Sequence, residues 1–142
     1  MNVPKPIVEE RFDYKEFPCV ILFQPMGYRT GYVGLNKGHR FYGKDFNDIP
    51  IDCHCGLTYS RNYLYGQEDK DVWWIGYDCG HICDSRDIDS VRKYYGEEKV
   101  DRIFNDFYYL TDYAVERDFD YCKKQCEYIV EQLTGEINNG LE

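Results

Sequence analysis

Cys53, His54 and Cys55 stand together, and after 23 intervening residues Cys79, His81 and Cys83 follow, with Asp78 and Asp84 at their edges. Thiolates and imidazoles are the donors that zinc takes in structural sites. They are also the groups of a Cys/His nucleophilic site, in which a base activates a thiol and a third group orients the base. In an extended segment Cys79, His81 and Cys83 share one face, as do Cys53 and Cys55, with His54 opposite. The spacing is not the paired C-x₂₋₄-C knuckle of structural zinc sites. Zinc is therefore a candidate cofactor, with His54, Cys79 and His81 as candidate ligands and no fixed ligand set. The catalytic reading takes Cys79 as nucleophile, His54 or His81 as base and Asp78 or Asp84 as orienter. No nucleophile elbow or protease signature accompanies it. The plain alternative is a helix cap at Asp84 and two hydrogen-bonded histidines beside a turn.

A second candidate lies earlier in the chain. Between Phe17 and Lys44 there is no Asp or Glu, while Arg29, Lys37, Arg40 and Lys44 are present, with His39 and Gly27, Gly31, Gly34, Gly38 and Gly43. Glycines let backbone N–H groups approach an anion, and cations hold it there. The spacing matches neither a Walker nor a Rossmann loop. The alternatives are an anion pocket and a glycine-rich hairpin with solvated cations.

Both candidates depend on the elements that carry them. Phe17 to Gln24 is a strand-length apolar run, Pro25-Met26-Gly27 a turn, and Thr30 to Leu35 a second strand, so 18–35 reads as a hairpin. Leu57 to Tyr59 reads as a short strand. Val72 to Tyr77, holding both tryptophans, reads as an inner strand with Trp73, Ile75 and Tyr77 on one face and Trp74 on the other. The region 78–84 then becomes a strand-to-helix connection, and antiparallel pairing of 57–59 with the tryptophan strand brings His54 beside it.

The period changes in the second half. Ile88, Val91 and Tyr95 step as a helix that Gly96 ends, with Asp84 or Ser85 as N-cap. Val100, Ile103, Phe104 and Phe107 suggest another helical piece. Thr111 or Asp112 is read as the cap of the longest helix, about 112–134. Its apolar stripe is Val115, Phe119, Cys122, Cys126, Ile129, Val130 and Leu133, which makes Cys122 and Cys126 core residues, like Cys19.

Length and charge narrow the function classes. The chain has 142 residues, 43% of them hydrophobic, which suits one domain with one core. Residues 1–71 hold 9 Lys+Arg and 10 Asp+Glu, and residues 72–142 hold 8 and 16, so the net charge of -9 sits almost wholly in the second half. A polyanion is repelled by such a surface, which disfavours general nucleic-acid binding. An odd count of seven cysteines, no apolar run near the start and none of membrane-span length lead to the expectation of a cytoplasmic protein with reduced thiols and no membrane partner.

Three phrases carry a resemblance: G-Y-V-G-L-N-K-G-H-R-F-Y-G-K-D-F, C-H-C-G-L-T-Y-S and W-W-I-G-Y-D-C-G-H-I-C-D. They resemble a family of small proteins of bacteriophage and prophage genomes and Gram-positive bacteria. That pattern is closer to H-G-G-L-T-Y-S and D-C-A-H-A-G-D, so its positions fall on His54, Cys79, His81 and Asp84, while Cys55 and Cys83 stand where it has glycine. The resemblance covers residues 17–84 and the character of the final helix. It implies membership and an accessory role, and brings no activity with it.

The expectation is an α+β domain, an N-terminal antiparallel sheet with two or three C-terminal helices packed on one face. Residues 1–16 are a loose lead-in, 17–84 the β-rich half, 85–135 the helical half and 136–142 a tail. The leading function is a non-enzymatic accessory protein that binds a small anionic ligand or a host protein. Its site would join 27–44, 53–60 and 78–84 and use Arg29, Lys37, His39, Arg40, Lys44, His54, Cys79, His81 and Asp84. The alternatives are a metal-dependent or Cys/His hydrolase on the same cluster, and an acidic DNA mimic.

Overall fold

A computed structural model describes residues 3–106 and 113–136. Alternating side chains build the sheet. Strands β1 (Ile7–Tyr14), β2 (Phe17–Phe23), β3 (Arg29–Leu35), β4 (Tyr59–Arg61) and β5 (Trp73–Asp78) pair antiparallel in the order β1-β2-β3-β5-β4. One face carries Cys19, Ile21, Val33, Ile75 and Tyr77, and the other Val20, Leu22, Tyr32 and Trp74. The tryptophans divide between the faces as their alternation requires. Helix α3 (Phe119–Leu133) covers the first face with Cys122, Cys126, Ile129, Val130 and Leu133. Leu64, Tyr59, Tyr65 and Val72 cover the second. Helices α1 (Ile88–Tyr95) and α2 (Glu97–Asp106) close over Phe23 through Val91, Val100 and Ile103. The architecture is α+β, as expected.

Four expectations are corrected. The lead-in is not loose: residues 7–14 form β1, whose charged side chains interrupt the apolar pattern and whose register shifts between Val8 and Glu10. The strand read at 57–59 is β4, two residues later. Asp84 caps no helix: with Ser85 it forms β6 (Asp84–Ser85), parallel to β7 (Val115–Glu116). The cap of α1 is Asp87, whose carboxylate accepts from the Ser90 N–H at 3.1 Å. The longest helix starts at Phe119, because β7 holds the preceding residues extended and Asp118 caps it, accepting from the Tyr121 N–H at 2.8 Å. The expected caps Thr111 and Asp112, and Phe107, lie outside the described residues. None of the described helices is long and apolar enough to cross a membrane.

At the centre of the sheet two glycine–tyrosine pairs face each other across β3 and β5, Gly31 with Tyr77 and Tyr32 with Gly76. Each ring lies over the opposing glycine, where a Cβ would overlap it. The Tyr77 hydroxyl, buried beneath α3, donates to the Cys122 carbonyl at 2.6 Å. Gly31→Ala therefore forces the Tyr77 ring off this anchor. The expected loss is about 1–3 kcal/mol by urea unfolding, the range for overpacking. An unchanged midpoint would show that the ring moves aside freely.

Candidate functional site

The site is built outward from Asp84. Its side chain is fully buried, and a buried carboxylate must be met by donors or it costs several kcal/mol. His54 Nε2 lies 3.0 Å from each carboxylate oxygen. The Arg117 Nε donates at 3.0 Å and the His81 backbone N–H at 3.1 Å. The Cys83 thiol lies 3.8 Å away. Burial would raise the Asp84 pKa, but the bonds from His54, Arg117 and the His81 N–H outweigh it and hold the carboxyl below its ordinary value.

These donors are placed by three elements. β6 carries Asp84, and pairing with β7 fixes it: the Val115 N–H donates to the Cys83 carbonyl at 2.9 Å. Arg117 follows β7 directly. The turn 53–56, closed by the Gly56 N–H on the Cys53 carbonyl at 2.9 Å, carries His54 and Cys55. α3 fixes that turn from its first two turns. Gln125 Oε1 accepts the His54 N–H at 2.8 Å, and the Tyr121 hydroxyl meets His54 Nδ1 at 2.8 Å. Nε2 faces a carboxylate and so carries the proton, which leaves the Nδ1 lone pair to Tyr121. The imidazole is thus held from both sides in one tautomer.

His81 is outermost. Its ring centroid lies 6.0 Å from that of His54, and its Nε2 is 3.3 Å from Asp78 Oδ1. The two histidines share one small site, as antiparallel pairing of β4 with β5 requires. A nitrogen of His54 and the Sγ atoms of Cys55 and Cys83 all lie within 4.8 Å of one another. Cys55 is exposed and Cys83 half-buried. Cys55 has φ +55°, a left-handed backbone that is unusual for a residue with a Cβ. Burial, then the neighbouring Cys83 and Asp84, push its thiol pKa up.

Cys79 does not join this group. It is buried against α3, its Sγ 3.7 Å from that of Cys122. The Cys122 contact, then burial, push its thiol up, and at 1% exposed its sulfur is not open to a substrate or ion from outside. Alternation places it: Tyr77 and Cys79 face the same way, into the α3 core. Cys53 is also buried in that core, and all seven cysteines are free thiols.

The anion site does not assemble either. Arg29 is buried and spent on Glu9 at 2.7 Å and Asp87 at 2.9 Å, with Ser90 Oγ and the Arg117 carbonyl at 3.3 Å. Lys37 pairs with Asp71 at the surface, 3.0 Å away, and Arg40 lies over the Phe41 ring. The Lys44 carbonyl accepts from Trp73 Nε1 at 2.9 Å. His39 accepts the Phe41 N–H on Nδ1 and lines a pocket of about 260 Å³ with Phe17, Pro18, Leu35 and Val72. None of the four cations lines it. The register explains the separation. Leu35 faces Trp73 while Thr30 faces Asp78, so residues 36–44 leave the sheet at the end opposite His81. The length of β5, roughly 17 Å, lies between them.

Cys55, Cys83, Arg117, Tyr121 and Gln125 complete the site in place of Cys79 and the basic loop. The first two were legible as donors in the sequence. Tyr121 and Gln125 are four apart on α3 and so share a face, a signal the apolar stripe obscures. Comparison with family models, with curated proteins and with solved structures found no match.

Proposed function

We propose that this is a non-enzymatic accessory protein that binds a zinc-class ion through His54, Cys55 and Cys83. One observation carries the reading: three soft donors from two separate turns lie within 4.8 Å of one another. In a tetrahedral zinc site such donors stand about 3.5–3.8 Å apart, given Zn–S near 2.3 Å and Zn–N near 2.0 Å. The donors need draw in by only about 1 Å. Two thiolates and a neutral imidazole match the charge of a divalent ion, and thiolates favour zinc over harder cations. Asp84 gives the support metal-bound histidines ordinarily have, a carboxylate on the second ring nitrogen. Ligation through Nδ1 would keep Nε2–H on Asp84 and replace the Tyr121 hydroxyl. The Cys/His hydrolase built on Cys79 lacks a reachable nucleophile, since that thiol is sealed beneath α3; a metal-dependent hydrolase is the second reading, using these same three donors with water in the fourth position.

Cobalt(II) titrated into the reduced, metal-free chain is expected to give thiolate charge-transfer and tetrahedral d–d absorption that saturate at one equivalent. Cys55→Ser or Cys83→Ser should abolish the tetrahedral signature. Asp84→Asn should weaken zinc about 10–100-fold, the usual effect of losing a ligand's carboxylate partner. Undiminished binding in both serine variants would sink the assignment.

A further inference from the structure

We infer that Cys55 is a modification site for low-molecular-weight disulfides, with Cys83 as its resolving thiol, and that closing this pair expels the ion. The claim about the ion rests on the zinc reading; the bridge itself does not. The Cys79–Cys122 and Cys55–Cys83 pairs both bring sulfurs close. Cys79 and Cys122 have Sγ atoms 3.7 Å apart, but they are 1% and 0% exposed. An incoming disulfide cannot reach either sulfur. Cys55 and Cys83 lie within 4.8 Å, and Cys55 is exposed. Thiol–disulfide exchange needs access as well as proximity, so the exposed pair is the reactive one. The remaining three cysteines, Cys19, Cys53 and Cys126, are buried.

The exchange balances without any group the protein lacks. The Cys55 thiolate attacks one sulfur of the disulfide R–S–S–R, forming Cys55–S–S–R and releasing RS⁻. The Cys83 thiolate then attacks the Cys55 Sγ and expels the second RS⁻. Two protein thiols are oxidised, one small disulfide is reduced to two thiols, and the two protons pass to solvent or the leaving thiolates. The Sγ atoms must close to about 2.05 Å. Cys55 lies on an exposed turn between Cys53 and Gly56, whereas Cys83 is tied through its carbonyl to β7. Cys55 is therefore the partner that moves. The bridge removes two of three donors, and His54 alone does not retain a divalent ion.

The test uses glutathione disulfide at pH 8 on the full chain, once metal-free and once loaded with one equivalent of zinc. Released zinc is read by a chromogenic chelator. Remaining thiols are alkylated after denaturation and mapped by mass spectrometry. The expected product is a single Cys55–Cys83 disulfide with the other five cysteines alkylated, and zinc release in step with its formation. Cys83→Ser should stop at a stable glutathione adduct on Cys55. If wild type also stops at that adduct, or bridges Cys79 to Cys122 first, the inference is overturned. A Cys55–Cys83 bridge in a chain that never bound zinc would overturn the zinc reading and the expulsion step while leaving the modification site standing. Zinc that stays bound after the bridge forms would overturn the expulsion alone.

Discussion

Asp84→Ala is expected to lower the unfolding free energy by about 3–5 kcal/mol, the loss seen when one partner of a buried charged group is removed. Three donors converge on this carboxylate, and alanine strands them together: His54 Nε2, Arg117 Nε and the His81 N–H. The His54 and His81 turns are also the two halves of the site, so they lose their common anchor. Asp84→Asn keeps the shape and part of the bonding and should cost less. The effect has a pH signature. The folded carboxyl titrates below its unfolded value of about 3.9. Its contribution is fully present above the unfolded pKa and is lost as pH falls through the folded pKa. The carboxyl's own share of the gap between wild type and Asp84→Ala should therefore be kept above the unfolded pKa and shrink in stronger acid. Asp87 is depressed too, burial being outweighed by its bonds to Ser90 and Arg29. It adds to the acid sensitivity of both proteins without changing the gap. Urea unfolding on both sides of the unfolded pKa measures it. A loss below about 1 kcal/mol at pH 7 would mean that the donors find water instead, and that Asp84 does not hold the site together.

Arg29→Ala should be comparably damaging, with a loss of about 3–5 kcal/mol. The guanidinium side chain is 6% exposed, and its partners Glu9 and Asp87 are 7% and 12% exposed. Removing it leaves two buried carboxylates facing each other without a cation. Tyr94 donates to Glu9 at 2.6 Å and Asp87 caps α1, so the disturbance reaches β1 and α1 as well. Arg40→Ala, at the surface over Phe41, should stay within about 0.5 kcal/mol. The contrast separates the two roles considered for these arginines. A ligand-binding Arg29 would be lost with little effect on folding, whereas a structural one would not. Replacing the whole group, as in Glu9→Gln with Arg29→Met and Asp87→Asn, should recover much of the loss, because it removes the charges together. Urea midpoints of the single, surface and triple variants decide the matter. An Arg29→Ala protein as stable as Arg40→Ala would refute the structural role.

How much of this was legible follows from how local each signal is. The β2, β3 and β5 strands announce themselves through apolar runs, and the stripe Cys122-Cys126-Ile129-Val130-Leu133 marks α3 by its period. The alternation that separates Trp73 from Trp74 also determines that Cys79 points inward, but only once Tyr77 is known to face α3. β1 was missed because Glu9 and Glu10 interrupt its alternation at the register shift, and because what pulls Glu9 inward is Arg29, twenty residues later. Isolated charges in a sequence read as solvated, and here they pair across the sheet. The proximity of His54 to His81 was legible from strand pairing alone. The meeting of Cys55 with Cys83 was not, because it depends on the side on which each turn leaves the sheet.

The placement of α3 carries a consequence for biosynthesis. The sheet face built from Cys19, Ile21, Val33, Ile75 and Tyr77 is covered by residues 119–133, while β2 and β3 are complete by residue 35. At about 5–20 residues per second, roughly 5–20 s of translation separate the hairpin from the helix that shields it. During that interval the nascent chain presents an apolar β surface and three or more reduced thiols to its surroundings. Such a surface is of the kind that aggregates or that holdase chaperones cover until α3 emerges, and a stop codon shortly before Phe119 is expected to yield an aggregating chain and not a smaller working protein.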